Sequence, residues 1–504
     1  MVRVNDVWPG GSAGPKRRHG RRVTVVGAGI AGLVAAYELE GLGYRVEVLE
    51  GNDRVGGRIR THRFGAGDDA PSVELGAMRI PTRHWRTLGY IDQLGLGDRI
   101  RRFTTLLSDE NAFIATDGGH TRIRDASDVL CGQFRREAVF ARYSDATIAF
   151  GAWLTTVVDA IAPPDLRRAL RSDLRDQLLD LVEKIDLTSF LHGSARDRVD
   201  LHFLFSAHPG LRSACSRRLN SFLDDILTET SPALLRLAGG MDQLPRRLAE
   251  RLQAKVSCGH KVVGIEVRSD DVLLHVKTDT RTFVRRTDFV VCTVPFPVLR
   301  RMWLSGFDAD KRAVLNDTVY CPATKVAFHC REPFWLQEGI TGGASFSGGR
   351  IRQTYYPPAE EAADRGAALL ASYTIGEEAD WLGRLPAAQR YRVVLKELGV
   401  MHPQVLRPGM VLGAASVVWG RSPWTLGGCA TRWGKDAAAR EQERLRAARP
   451  VNRLFFAGEH SASVPAWIEG AIESALHAVR QIAEYEPPRG TAHSRHRKTL
   501  GAPR

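Results

Sequence analysis

Cysteine is sparse and scattered in this chain: seven in 504 residues, at positions 131, 215, 258, 292, 321, 330 and 429. No two form a CxxC pair, which excludes both a small-domain disulfide framework and a structural zinc site. Long apolar runs are missing too. No stretch reaches the roughly 18 residues that a membrane-spanning helix needs. Tandem repeats and low-complexity linkers are absent, so a solenoid is excluded. Acidic residues are in the minority, 57 against 71 Lys and Arg, for a net charge of +14. Part of that excess lies in PKRRHGRR near the start and HSRHRK near the end. Neither zinc-finger spacing nor an RNA-binding aromatic signature accompanies it, so no nucleic-acid partner is expected. The run VTVVGAGIAGLVAA behind Arg21 and Arg22 imitates a secretory leader. Its glycine spacing serves another purpose and no small-residue cleavage site follows, so the cytoplasm is the expected compartment.

What is present is an ordinary enzyme composition, 43% hydrophobic and 25% charged, in a chain long enough for two or three lobes. Residues 23–26 read as a strand, Gly27-Ala28-Gly29-Ile30-Ala31-Gly32 as a turn, 33–42 as a helix, and 44–49 as a second strand ending at Glu50. This is the order of a dinucleotide-binding unit. Gly27 permits the tight turn, Gly29 lets the backbone approach a pyrophosphate, and Gly32 lets helix and strand pack closely. The N–H groups at the helix start offer a phosphate site. Glu50, 18 residues past Gly32, can accept the ribose hydroxyls, and an acid there disfavours a 2′-phosphate. Gly56-Gly57-Arg58 follows. It combines close backbone approach with a guanidinium fork for phosphate.

Further stretches span nearly the whole chain: VEVLEGNDRVGGRIRT, LAGGMDQLPRRLAERL, DFVVCTVPFPVLR and RLFFAGEHSASVPAWIEGAIESA. Together with the glycine turn they resemble the flavin amine oxidase superfamily, nearest its L-amino acid oxidase branch. The resemblance implies an α/β fold. A Rossmann-like, glutathione-reductase-like FAD domain would be built from discontinuous segments, beside a mixed-sheet substrate domain and a helical domain. The expected division is FAD-binding segments 21–76, 233–318 and 445–486, substrate segments 77–114 and 319–444, a helical domain 115–232, and flexible tails 1–20 and 487–504. Strands are expected at 324–329, 351–356 and 368–373. FAD contacts are implied for Gly27, Gly29, Ala31, Gly32, Glu50, Gly57, Arg58, Gly76, Ala77, Met78 and Arg79. Val262 would lie near the adenine, Trp419 on the flavin, and Gly458 and Glu459 at the ribityl chain. Trp467, Ile468 and Ala471 would present a helix start to the flavin pyrimidine ring.

The stretch from Glu74 to Pro81 selects the branch. Arg79 matches the family Arg that binds a substrate carboxylate, and a planar guanidinium grips that group bidentately. Tyr356, directly before Pro357, is taken as the second carboxylate ligand, with Tyr355 on the opposite face of its strand. Lys325 matches the Lys that holds a water near flavin N5. Trp467 matches the aromatic wall that guides the substrate, and Trp335 reads as packing. Gly427-Gly428-Cys429 resembles the motif that attaches flavin covalently in monoamine oxidases, yet Ala430 replaces their cage Tyr. Non-covalent FAD is expected, with attachment at Cys429 as the alternative. His202 and His208 carry no motif that would place them in the site.

The implied activity is oxidative deamination of an L-amino acid to a 2-oxo acid, ammonia and H2O2, by hydride transfer from Cα to flavin N5. The partners are the amino acid and O2, and the assembly implied is a homodimer. Aromatic surface at Trp467 and 331–356 favours aromatic or large apolar substrates. A decarboxylating monooxygenase that yields an amide would use the same Arg79. A plain amine oxidase is disfavoured by Arg79 and Ala430, and a non-catalytic flavoprotein by its full set of substrate-side residues.

Overall fold

The computed structural model describes residues 20–67, 70–137, 143–193, 197–361 and 366–485. The two expected tails, apart from Gly20, fall outside these residues. A five-stranded parallel sheet carries Val256–Ser257, Arg45–Leu49, Arg22–Val26, Phe289–Cys292 and Leu454–Phe456, in that spatial order. Its strands come from segments separated by hundreds of residues, so the sheet is discontinuous in sequence. Such sheets are covered on both faces and read as unbroken apolar runs. Val23, Val25, Val291 and Phe455 enter one core, while Val26, Val290, Leu454 and Phe456 enter the other.

The helix Ile30–Gly41 follows the first strand and packs against the last helix, Ile468–Glu484. Gly27 has φ +106°, as the tight turn requires. A Cβ on Gly32 would stand 1.9 Å from the Gly27 carbonyl oxygen, so helix and turn meet only because Gly32 has none.

A seven-stranded sheet forms the second layer, in the order Val411–Val418, Ala323–Cys330, Ala367–Ile375, Gln353–Tyr355, Ala344–Phe346, Phe113–Thr116 and Gly119–Arg122. The strand expected at 351–356 is shorter, because Arg352 sits at φ +57° and breaks the extended run. The expected start of the helical region at residue 115 also needs correction. Residues 113–122 form a hairpin on the edge of this sheet, closed by the two-residue turn Asp117-Gly118, after which Gly119 opens the second strand at φ +123°.

The α-helices of this region begin at Ser127. The main ones are Ser127–Glu137, Asp145–Ile161, Pro164–Gln177 and Arg217–Glu229. Ser144 and Ser216 cap two of them by accepting the N–H of Thr147 and Leu219. In Arg217–Glu229, the buried Leu219, Phe222, Leu223 and Ile226 follow the i, i+3, i+4, i+7 rule and dock the helix on the lobe's core. A four-stranded sheet that includes Lys261–Val267 completes the fold. Among the described residues no helix is long and apolar enough to cross a membrane.

Candidate active site

The three layers enclose a cavity of about 1490 Å³. The carboxyl ends of the parallel strands form one end of it, where α/β sheets commonly bind ligands. The seven-stranded sheet supplies a wall through Lys325, Gln353 and Tyr373, and the helix Arg217–Glu229 faces it with Phe222, Asp225 and Glu229. Every residue expected to meet the cofactor lines this cavity except Gly32, which stands behind Gly27.

The segment 74–79 threads between the layers. A Cβ on Gly76 would fall 2.1 Å from the Arg58 carbonyl oxygen, so only glycine fits this close approach. The Lys325 ammonium donates to the carbonyls of Gly76 at 2.7 Å and Glu74 at 3.2 Å. It lies 4.7 Å from the centre of the Tyr373 ring. Burial and the neighbouring Arg79 charge push the Lys325 pKa down to about 7. Burial also raises the Glu74 carboxyl to about 7, although it accepts from Thr61 and from the Met241 N–H. Trp419 is fixed by donation from Nε1 to the Leu75 carbonyl at 2.9 Å.

Arg79 is 7% exposed. One arm of its guanidinium donates to the Tyr355 hydroxyl at 3.0 Å, and the other pairs with the Glu229 carboxylate. The rings of Trp467 and Phe103 flank it at 5.8 and 5.9 Å. Burial is the largest influence and lowers its pKa, but the charge of Glu229 together with Tyr355 and Tyr373 outweighs it and holds the pKa above the usual arginine value.

The assignment of Tyr356 is corrected. Its hydroxyl lies on the far side of the strand, bonded to Ser345 at 2.6 Å and His402 at 2.7 Å. Strand alternation does separate the two tyrosines, but it is Tyr355 that reaches Arg79. Tyr355 itself does not line the main cavity, whereas Tyr373 does. Tyr373 is paired across strands with Lys325 and with Gln353, and its electrostatic environment is set by Glu229 and Arg79.

Neither His202 nor His208 lines the cavity. His202 bonds to the Thr230 hydroxyl and His208 packs edge-on against Phe190. Trp335 is fully buried beside Tyr356. Three wall residues that carry no motif escaped sequence reasoning: Asp225, Glu229 and Tyr373. The signals available were the i, i+4 spacing of the two acids on an amphipathic helix, and the strand register that sets Tyr373 beside Lys325. Asp225 accepts from the Trp433 indole at 2.8 Å, and burial raises its pKa to about 7.

Comparison with known proteins agrees with this geometry. The model of the flavin containing amine oxidoreductase family matches residues 30–483. The chain belongs to this family. It is 56% identical over 462 residues to a flavin-dependent L-tryptophan oxidase, RebO, of Lentzea aerocolonigenes, covering 92% of this chain and 98% of that protein. It is 31% identical to an L-amino-acid oxidase of Mus musculus, over 92% of this chain and 70% of the relative. Wild-type putrescine oxidase bound to putrescine shares its fold at a TM-score of 0.61 and 20% identity, covering 92% of this chain and 98% of that one.

As a member of the flavin containing amine oxidoreductase family the protein is an FAD-dependent oxidoreductase, and its residues fit the cofactor. The helix Ile30–Gly41 has Gly29 at its N-cap and no side-chain cap, so its first N–H groups remain available to a pyrophosphate. A Cβ on Gly57 would stand 3.2 Å from Gly29 Cα, so the two glycine segments lie against one another. Glu50 accepts the N–H groups of Ala28 at 2.7 Å and Asn52 at 2.8 Å, which fixes it at the mouth of the turn. Arg58 donates to Glu459 at 2.5 Å and to the Gly428 carbonyl at 3.0 Å. Glu459 also takes the N–H groups of Ala430 and Ala466. Its carboxylate is thus engaged in structure, as is the Gly458 N–H, which donates to Ser474 Oγ at 2.8 Å. Cys429 lines the cavity as a free thiol whose pKa burial raises far above its ordinary value.

Proposed function

We propose that this enzyme oxidises the Cα–N bond of an aromatic L-amino acid, L-tryptophan first among them, to a 2-oxo acid, ammonia and H2O2. The observation that carries this reading is Arg79. It is a buried guanidinium at the cavity wall, flanked by Trp467 and already gripping a carboxylate, that of Glu229. A substrate with no carboxylate has no use for it. The 56% identical relative, a flavin-dependent L-tryptophan oxidase, points the same way.

In this reading Arg79 and Tyr373 hold the substrate carboxylate, and Tyr355 positions Arg79 from behind. Trp467, Phe222 and Trp433 supply aromatic surface for the side chain. Lys325, held on two carbonyls, fixes the polar edge of the site. The chemistry that bound FAD supplies is acceptance of the Cα hydride and reduction of O2. The residues of the chain contribute orientation and charge. In this reading FAD faces the set expected from the sequence, from Gly27 and Glu50 through Arg58 and Val262 to Gly458 and Ala471, a placement supported by their lining of the cavity. We place the enzyme in the cytoplasm, a reading supported by seven free thiols.

The test is one incubation of the yellow holoenzyme with each of the twenty L-amino acids. Peroxide is measured with and without catalase, and products are read by mass spectrometry. A 2-oxo acid with stoichiometric H2O2, highest for L-tryptophan, is expected. An amide one carbon shorter, or turnover of amines alone, overturns the proposal.

A further inference from the structure

Glu229 is the last residue of the helix Arg217–Glu229. A carboxylate there is opposed by the negative end of the helix macrodipole, so the helix itself gives no reason for an acid at this position. What Glu229 does instead is occupy Arg79, the one wall cation with a hydroxyl, Tyr355, behind it and aromatic rings on two sides. The two partners are not equally confined. Arg79 is 7% exposed and the Glu229 side chain 21%, and both line the cavity. Arg79 is anchored by Tyr355, whereas among the described residues the Glu229 carboxylate has no hydrogen-bond partner beyond Arg79. Glu229 is therefore the member able to move.

We infer that Glu229 stands in for the substrate carboxylate in the free enzyme and becomes the ligand of the substrate ammonium when that carboxylate takes its place on Arg79. This rests on the proposed amino acid oxidase reading and deepens it. In an α-amino acid the carboxylate and ammonium are bound to one carbon, with N and carboxyl carbon about 2.5 Å apart. A carboxylate displaced from the guanidinium by that short distance meets the ammonium directly. Free site and ligand are then each a neutral ion pair, and binding exchanges these two pairs for two new ones without leaving a buried charge alone, which would be costly. An acid lacking the amine would leave two carboxylates facing one guanidinium. An amine lacking the carboxylate would compete with Arg79 for Glu229. Both are disfavoured by like-charge contact or by loss of a partner, which is how a site rejects close analogues.

The test compares wild type with Glu229→Gln in the FAD-loaded enzyme, with two ligands read separately. Dissociation of indole-3-propionate, an acid without the amine, is followed by titration of the flavin absorbance. Turnover of L-tryptophan is followed as peroxide. Glu229→Gln is expected to tighten indole-3-propionate about tenfold or more, because its internal competitor is gone. It is expected to lower kcat/KM for L-tryptophan about tenfold or more, because the ammonium partner is gone. Glu229→Asp, which keeps the charge, should recover part of the turnover. General loosening of the fold would weaken both ligands together, so movement of both in one direction, or of neither, overturns the inference. If Glu229→Gln fails to load FAD, Glu229→Asp and the wild-type preference for L-tryptophan over tryptamine and indole-3-propionate decide it, and equal affinity for all three overturns it. A wild-type enzyme that makes no peroxide from any L-amino acid fails the functional proposal instead, a separate and earlier result.

Discussion

Replacing Arg79 by alanine tests the core of the proposed chemistry. The side chain is 7% exposed and holds Tyr355 and Glu229 together. Its removal takes the charge-assisted fork from the substrate carboxylate and leaves Glu229 facing that carboxylate with no cation between. Breaking one side of a buried ion pair costs about 3–5 kcal/mol. At 1.36 kcal/mol per decade, kcat/KM for L-tryptophan should fall by about 150- to 5,000-fold. Initial peroxide rates over a range of L-tryptophan concentrations give this number, and flavin absorbance confirms that the cofactor is still bound. Tryptamine provides the control. It has no carboxylate to lose, so its rate, however low in wild type, should change by less than about fivefold or rise, since Glu229 is released. An Arg79→Ala enzyme within about threefold of wild type on L-tryptophan would refute the clamp. So would equal losses on both substrates.

Further outcomes follow from the geometry. Tyr373→Phe should raise KM for the amino acid, whereas Tyr356→Phe should leave KM unchanged and lower Tm, because its hydroxyl is buried between Ser345 and His402 and stranding a buried polar group costs about 1–3 kcal/mol. Gly32→Ala places a Cβ against the Gly27 carbonyl oxygen, so the purified variant should carry less flavin per chain, read as the ratio of flavin to protein absorbance. Lys325 has its folded pKa pushed from 10.5 to about 7. The unfolded chain therefore binds more protons between pH 7 and 10.5, and this group's destabilising effect is complete below about 7 and disappears as pH rises through 10.5. The Tm advantage of Lys325→Met over wild type should accordingly shrink from pH 6.5 to pH 10, and a constant difference would contradict the shift. Cys429 should not hold flavin: acid precipitation of the protein should release the colour to the supernatant, since burial keeps the thiol protonated and the thiolate is the reactive form.

The nucleotide end of the site was legible in the sequence because its requirements are local. A glycine at φ +106°, a close approach at Gly32 that leaves no room for a Cβ and an acid at the end of the next strand are all fixed within thirty residues of chain, so spacing alone states them. Arg79 was legible for a related reason: the segment around it packs so closely on the Arg58 backbone that an added Cβ at Gly76 would stand 2.1 Å from the Arg58 carbonyl oxygen, and that constraint imposes a recognisable run. The tyrosines were less so. A choice between Tyr355 and Tyr356 depends on strand register, and a shift of one residue inverts every side chain. Here Arg352 at φ +57° starts the strand late, a feature invisible in composition. The hairpin at 113–122 was absorbed into the helical region because its strands are only four residues each, too short for a period of two to stand out against the helical pattern that follows.

The substrate end was hardest to read because it is assembled from contacts between layers. Glu229 and Arg79 are 150 residues apart, and no local rule links the end of a lobe helix to a loop under a sheet. The physical sign was present all the same. Leu219, Phe222, Leu223 and Ile226 commit one face of that helix to the core, and two acids at i+3 and i+7 from Phe222 stand at the edge of that buried stripe, where each needs a polar partner. Asp225 met an indole N–H and Glu229 met a guanidinium. Lobe placement therefore decides what the acids become. If the helix Arg217–Glu229 faced solvent, they would be ordinary surface charges. Its docking over the sheet row of Gln353, Tyr373 and Lys325 turns them into the wall opposite the cofactor.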